Sequence, residues 1–221
     1  MPVALLTGAS RGLGHALAQH LAALGWDLIL DAREPLALQA RSPASATLVP
    51  GDVSDPAHRA DLLRATRSFG RLDLLVNNAS ILGPMPPLGQ LPLDALRQVF
   101  EVNVLAPLAL TQALLPLLDG GTVLNVSSDA GVEAYAGWGG YGSSKAALDQ
   151  LTAVLAVEVP GVRFIALDPG DMRTQLHQEA FPGEDISDRP LPETVVPAVL
   201  RCLDLPSGRY RASDLLAAVT A

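Results

Sequence analysis

The sequence predicts an α/β protein of the doubly wound kind, a three-layer sandwich with a mostly parallel sheet of about seven strands. Three observations predict it. Short apolar runs alternate along the chain with longer helical patterns. Those runs are apolar on both faces, as strands covered by helices on each side must be. The first run leads directly into a glycine-rich turn that opens a helix.

The first strand is "VALLT" (3–7), followed by "TGASRGLG" and a helix over about 12–24. "DLILD" (27–31) and "ATLVP" (46–50) are the next two apolar runs, with a helix over 55–68 after them. "LDLLV" (72–76) precedes a Pro/Gly-rich loop at 80–92, and the long helical pattern at 92–118 carries the chain to "GTVLNV" (121–126). A helix at 141–158 and the strand "VRFIAL" (162–167) follow, then a second Pro/Gly-rich loop at 180–192. A helix near 192–203 and a short strand near 208–212 close the chain. Alternation of this sort requires right-handed crossovers. Ligands of such sheets bind at the carboxyl ends of the strands, so both Pro/Gly-rich loops are expected to line a cleft.

A chain of 221 residues, 49% hydrophobic and 17% charged, forms one substantial core, and the expectation is a single domain over 1–221. The net charge of −8 and aromatic content of 4% argue against nucleic-acid or anionic-membrane partners. One cysteine, Cys202, rules out an intrachain disulfide, and its neighbours Val199, Leu200 and Leu203 mark it as a buried structural thiol. The start "MPVALLTGAS" lacks the basic n-region of a signal peptide, and Pro107, Thr111, Gln112 and Pro116 interrupt the most apolar stretch. A soluble, cytoplasmic protein is expected. His15, His20, His58 and His177 show no metal-ligand spacing; helix-surface or capping roles are expected of them, and no metal.

In "TGASRGLG", Gly8 permits a tight turn, Gly12 lets backbone amides approach a pyrophosphate, and Gly14 allows helix and strand to pack closely. With the strand before it and the helix after it, this run resembles the TGxxxGxG fingerprint of the short-chain dehydrogenase/reductase family, at Thr7, Gly8, Gly12 and Gly14. "GDV" (Gly51–Val53) is similar to the family segment whose aspartate, here Asp52, holds adenine. "NNAS" (Asn77–Ser80) is similar to its NNAG, departing at Ser80. The resemblance runs from residue 3 to about 174 and implies an NAD(P)-binding Rossmann domain. It implies cofactor contacts from Gly8, Ser10, Arg11, Gly12, Leu13, Gly14, Arg33, Asp52, Val53, Asn78 and Ala79. Pro169, Gly170, Met172 and Thr174 of "DPGDMRT" would close over the nicotinamide, and Tyr141 and Lys145 would also touch the cofactor.

The resemblance puts Ala32 at the position of the NAD-selecting acid and Arg33 and Arg11 where NADP-preferring members carry basic residues, which implies NADP(H), since two guanidiniums can bind a 2′-phosphate. A slip of one residue in register would instead make Asp31 the acid that selects NAD(H).

Lys145 is the one lysine among fifteen Lys and Arg residues. A sequence so biased to arginine keeps lysine where a compact ammonium is needed. Tyr141 stands four residues before it, on the same helical face, where an ammonium lowers a phenol's pKa and makes it a usable acid and base. Tyr/Lys pairs at this spacing are common on helix surfaces, so the context matters. Ser128 ends a strand thirteen residues before Tyr141, and Asn103 lies in the long helical pattern. The resemblance makes Asn103, Ser128, Tyr141 and Lys145 the catalytic four: Ser128 binds the carbonyl oxygen, Tyr141 protonates it, Lys145 tunes Tyr141 and holds the ribose, and Asn103 holds a water. It implies hydride transfer between nicotinamide and a carbonyl or secondary alcohol, on a partly apolar substrate, in a homodimer or homotetramer. A catalytically silent cofactor-binding sensor or scaffold would be expected to lack at least one of the four. Trp138 and Tyr135 either line the pocket or pack the adjoining loop.

Overall fold

The strands are β1 (Val3–Leu6), β2 (Asp27–Ala32), β3 (Thr47–Pro50), β4 (Leu74–Asn77), β5 (Thr122–Val126), β6 (Arg163–Asp168) and β7 (Gly208–Arg211). The structure is a computed structural model that describes residues 1–217; residues 218–221 of the expected domain lie outside it. All seven strands join one parallel sheet in the order β3-β2-β1-β4-β5-β6-β7. The chain runs outward from β1 to β3 and then returns to β4. This reversal opens a crevice beyond the carboxyl ends of β1 and β4, where ligands of such sheets bind.

The period of two along β1 divides the core between the sheet's faces. Ala4 and Leu6 join Leu17, Leu21, Leu30 and Val199 on one side. Val3 and Leu5 join Leu62, Leu110, Leu114 and Phe164 on the other. Burying each leucine fully contributes about 1.5–3 kcal/mol before chain entropy is set against it. Cys202 packs fully enclosed in the first of these clusters, and burial pushes its thiol up to about 11.

The helices are α1 (Gly12–Ala23), α2 (Pro35–Arg41), α3 (Pro56–Arg67), α4 (Leu93–Phe100), α5 (Ala106–Leu114), α6 (Gly139–Glu158), α7 (Gln175–Ala180), α8 (Val196–Cys202) and α9 (Ala212–Ala217). Sequence patterning anticipates neither α2, α7 nor α9. Each is six or seven residues long and buries one of its residues, too little for a helical period to show. The 92–118 pattern departs in a different way. Residues Glu101–Leu105 form a π turn between α4 and α5, and a 3₁₀ turn, Leu115–Leu117, ends the run. The stretch Leu93–Leu117 is long and apolar enough by composition to cross a bilayer. Half of its most apolar window is buried, and it packs against α6 and α3, as a core helix does.

Candidate active site

The glycine turn after β1 is stapled from β4. Gly8 sits at φ 66°, which a side chain disfavours, and a Cβ there would meet Asn78 Nδ2 at 2.9 Å. Asn78 donates from Nδ2 to the Thr7 and Gly8 carbonyls at 2.9 and 3.1 Å, while the Asn78 and Ala79 amides donate to Thr7 Oγ1, each at 3.0 Å. Gly14 is required by packing, since a Cβ there would lie 2.5 Å from the Gly8 carbonyl oxygen. No side chain caps the N-terminus of α1, and no acid stands in its first turn. Its free amides therefore face the crevice as an anion site.

That crevice is a cleft of about 730 Å³, a size suited to a cofactor and a small substrate. Every candidate site residue named from the sequence lines it except Gly14 and Asn103. The donors and volume fit a nicotinamide dinucleotide, whose pyrophosphate the glycine turn could hold and whose adenosine Arg33 and Asp52 could hold.

At the end of the cleft beside Arg33 and Asp52, Asp31 is 1% exposed and receives a 2.8 Å hydrogen bond from His58 Nε2. Its carboxylate also accepts from the Gly8 amide. Burial raises Asp31 above the ordinary carboxylate range despite both partners, and the Asp31 hydrogen bond raises His58 above 6.5. Asp31 is thus committed inside the fold, and His58 is buried, against the expectation of a surface histidine. Gly51 makes room for it, because a Cβ would stand 2.3 Å from His58 Nδ1. Arg11 and Arg33 are exposed at the cleft rim, and Arg11 bonds Gln175 Oε1. Arg41, unremarked in the sequence, joins them from α2 and donates to the Ser10 carbonyl at 3.2 Å. Asp52 Oδ1 is held by the Ser54 amide and hydroxyl at 2.8 and 2.6 Å.

At the other end, β5 and α6 bring Ser128, Tyr141 and Lys145 together. Tyr141 is 7% exposed, and burial is the main reason its phenol is pushed up, aided by the charges of Asp129 and Asp168. The nearby Ser128 and Ser80 hydroxyls act in the opposite sense. The phenol is therefore raised where the sequence led to the expectation of lowering by lysine, because burial dominates. Lys145 is 2% exposed; its Nζ donates to the Val126 carbonyl at 2.7 Å and lies 5.4 Å from the Tyr141 ring centroid. Burial pushes the ammonium down to about 8, with Asp149 resisting. Ser128 stands beside Tyr141, whereas Ser127 is buried with its hydroxyl unpartnered.

Asn103 occupies the π turn and is 1% exposed. It pairs with both backbone groups of Ile81, accepting from N and donating to O at 2.9 Å each, and donates to Ser144 Oγ at 3.0 Å. Its bonds thus tie the loop after β4 to α6, with no direct bond to Lys145 among those described. π turns recur at functional sites because the extra residue redirects a side chain.

The end of the cleft beside Tyr141 is apolar: Leu82, Ala130 and Tyr141 pack with Met85, Trp138, Leu176 and Ala180. Trp138 meets Tyr141 edge to face at 5.9 Å and lines the cleft, while Tyr135 lies outside it and bonds Asp129 and Glu133. Residues Ser80–Gly83 of the first Pro/Gly-rich loop line the cleft. The second loop, against expectation, does not line it; Phe181 instead backs two cleft residues, Trp138 at 5.9 Å and His177 at 4.9 Å between ring centroids. His177, expected on a helix surface, is buried at the cleft wall, stacked on Phe181 and 3.7 Å from Asp171. Its isolated position in the sequence gives no signal of this.

Residues 2–185 match the family model described as short chain dehydrogenase. The chain is 34% identical to the Escherichia coli oxidoreductase YciK, over 90% of this chain and 84% of that one. It is 36% identical to rat (Rattus norvegicus) sepiapterin reductase, over 80% and 77%. A short chain dehydrogenase from Shigella flexneri complexed with NADP superimposes with a TM-score of 0.89 at 29% identity, covering 96% of this chain and 97% of that one. Fold, motif order and relatives agree, and the chain belongs to the short-chain dehydrogenase family of oxidoreductases.

Proposed function

We propose that this protein is an NADP(H)-dependent oxidoreductase that interconverts a carbonyl group and a secondary alcohol on a small, partly apolar substrate. The carrying observation is the convergence of Ser128, Tyr141 and Lys145 at the apolar end of a cleft whose other end is ringed by arginines. The chemistry a bound dinucleotide would supply is the hydride that the substrate carbon gains or gives up. Ser128 donates a hydrogen bond to the substrate oxygen. Tyr141, kept protonated at neutral pH by its burial, is in the form needed to give that oxygen a proton. The Lys145 ammonium stands close enough to steady the phenolate left behind. In the reverse direction the phenolate takes the proton from an alcohol.

The preference for NADP(H) rests on three guanidiniums, Arg11, Arg33 and Arg41, at the adenosine end. It rests equally on Asp31, whose carboxylate is spent on His58 and Gly8 and so is a poor ligand for a ribose 2′-hydroxyl. The NADP-complexed neighbour supports the same reading. Exposed Leu105, Val154 and Val157 support self-association through the long helices, and the chain is proposed to act in the cytoplasm as a homodimer or homotetramer.

The test is NADPH oxidation with a panel of aldehydes and ketones, preceded by thermal unfolding with NADPH, NADH or neither. Saturating cofactor at a hundredfold over Kd stabilises by about 2.7 kcal/mol. Tyr141→Phe should keep the NADPH shift and lose turnover by several orders of magnitude. A Tyr141→Phe enzyme with near-normal turnover would remove the phenol from its role. Wild-type protein that binds cofactor but is inactive on every carbonyl would favour the silent sensor.

A further inference from the structure

Arg209 lies on β7, outside every motif that marks the site, yet its guanidinium meets all three segments that assemble the chemistry. Nη2 donates to the Ser128 carbonyl oxygen at 2.9 Å. Nε donates to Asp149 Oδ2 at 2.8 Å, on α6 one turn beyond Lys145. Nη2 also stands 3.7 Å from Asp168 Oδ2, at the end of β6 where the Pro169–Gly170 segment begins. The side chain is 26% exposed, and its acidic partners are 13% and 6% exposed, so these pairs are far less screened than surface ones. Only a planar fork reaches a carbonyl and two carboxylates from one position; a lysine ammonium would not span them.

We propose that Arg209 is a positioning residue of the active site: it fixes the Ser128 backbone against the Tyr141–Lys145 helix and neutralises Asp168, whose charge faces the Tyr141 phenol. The role attributed to it rests on the reaction proposed above, but the placement of the Ser128 turn does not. Ser128 O also accepts from the Gly131 amide at 3.1 Å, so the carbonyl that Arg209 grips belongs to the turn that aims the Ser128 hydroxyl. Asp168 is raised chiefly by burial, and Arg209 and Arg211 both work to keep it ionised. Loss of Arg209 therefore does two things at once. It frees the serine turn, and it leaves a less compensated negative charge beside the group that must release and recover a proton.

The experiment compares wild type, Arg209→Met, Arg209→Lys, Asp168→Asn and the Arg209→Met/Asp168→Asn double variant. Hydrogen exchange needs no substrate: the Ala130 and Gly131 amides should exchange at least about tenfold faster in Arg209→Met, while β1 and β4 stay protected. With NADPH and the best carbonyl of the panel, Arg209→Met should lose at least about tenfold in kcat with KM for NADPH within about twofold. Adding Asp168→Asn should recover at least about threefold, because the uncompensated charge is gone. Arg209→Lys, which keeps charge without the fork, should fall between wild type and Arg209→Met, and serves as the decisive variant if Arg209→Met does not fold. Unchanged exchange at Ala130 and Gly131 overturns the positioning role. Unchanged kcat, or a loss that Asp168→Asn does not relieve, overturns the electrostatic one. A wild-type protein inactive on every carbonyl, with exchange loosened in Arg209→Met as expected, would refute the proposed reaction and leave the anchoring of the serine turn standing.

Discussion

Replacing Lys145 with methionine should abolish turnover and yet leave the protein as stable as wild type, or more so. The ammonium is 2% exposed and pushed from 10.5 down to about 8. At about 1.4 kcal/mol per tenfold change in proton affinity, the folded state carries roughly 3 kcal/mol of unfavourable burial at pH 7. Methionine of similar length removes that cost but leaves the Val126 carbonyl without its 2.7 Å donor, a loss of about 1–3 kcal/mol. The net expectation is a gain of roughly 0–2 kcal/mol at pH 7, or up to about 8 °C in Tm for a chain of this size. The sign with pH follows from the lowered pKa. The unfolded chain binds the proton more tightly than the folded one, so wild-type stability climbs between about pH 8 and 10.5, and is lost again as pH falls through 8. Lys145→Met has no such climb. Urea unfolding of both proteins without cofactor, at pH 7 and pH 10, reads the difference directly, with tyrosine ionisation common to both. A difference that does not change between the two pH values would refute the reasoning, as would a methionine variant less stable by more than about 2 kcal/mol at pH 7.

Lys145→Arg should be less stable than either, because the larger guanidinium keeps the buried charge and must also be forced into the space of a 2% exposed ammonium; thermal unfolding at pH 7 checks the order. Breaking the buried Asp31–His58 pair has a pH signature: His58 should titrate above 6.5 by NMR. Its stabilising contribution should be complete below pH 6.5 and lost as pH rises through the raised value, a dependence that His58→Phe should flatten. Gly14→Ala places a Cβ 2.5 Å from a backbone oxygen and should cost about 1–3 kcal/mol, along with the cofactor-induced rise in Tm. Arg33→Ala should weaken NADPH binding by about tenfold or more and leave NADH nearly untouched, by fluorescence titration.

The parts legible in the sequence are those that local spacing determines. "TGASRGLG" reads as a turn because three closely spaced glycines follow an apolar run and open a helix within eight residues. Tyr141 and Lys145 share a face because four residues make a helical turn. The parts that escaped reading are set by contacts between distant segments. Asp31 and His58 are 27 residues apart, and nothing local distinguishes a buried aspartate from one that faces ribose. Arg209 acts on Ser128 from 81 residues away. The π turn around Asn103 is local but invisible, because five residues are too few for an apolar pattern to separate its period from that of an α-helix. The lone lysine is legible for its residue type but not for its surroundings, because its burial and its bond to the Val126 carbonyl depend on a strand nineteen residues away.

Cys202 gives the protein a practical property. Its thiol is the one thiol in the chain, fully enclosed and pushed up to about 11, so at neutral pH it offers almost no thiolate to an electrophile. A cysteine introduced on the surface would react alone. Dyes, spin labels or cross-linkers can then be placed at chosen points around the cleft without first stripping the native thiol, which makes distance changes on cofactor binding directly measurable in otherwise unaltered protein.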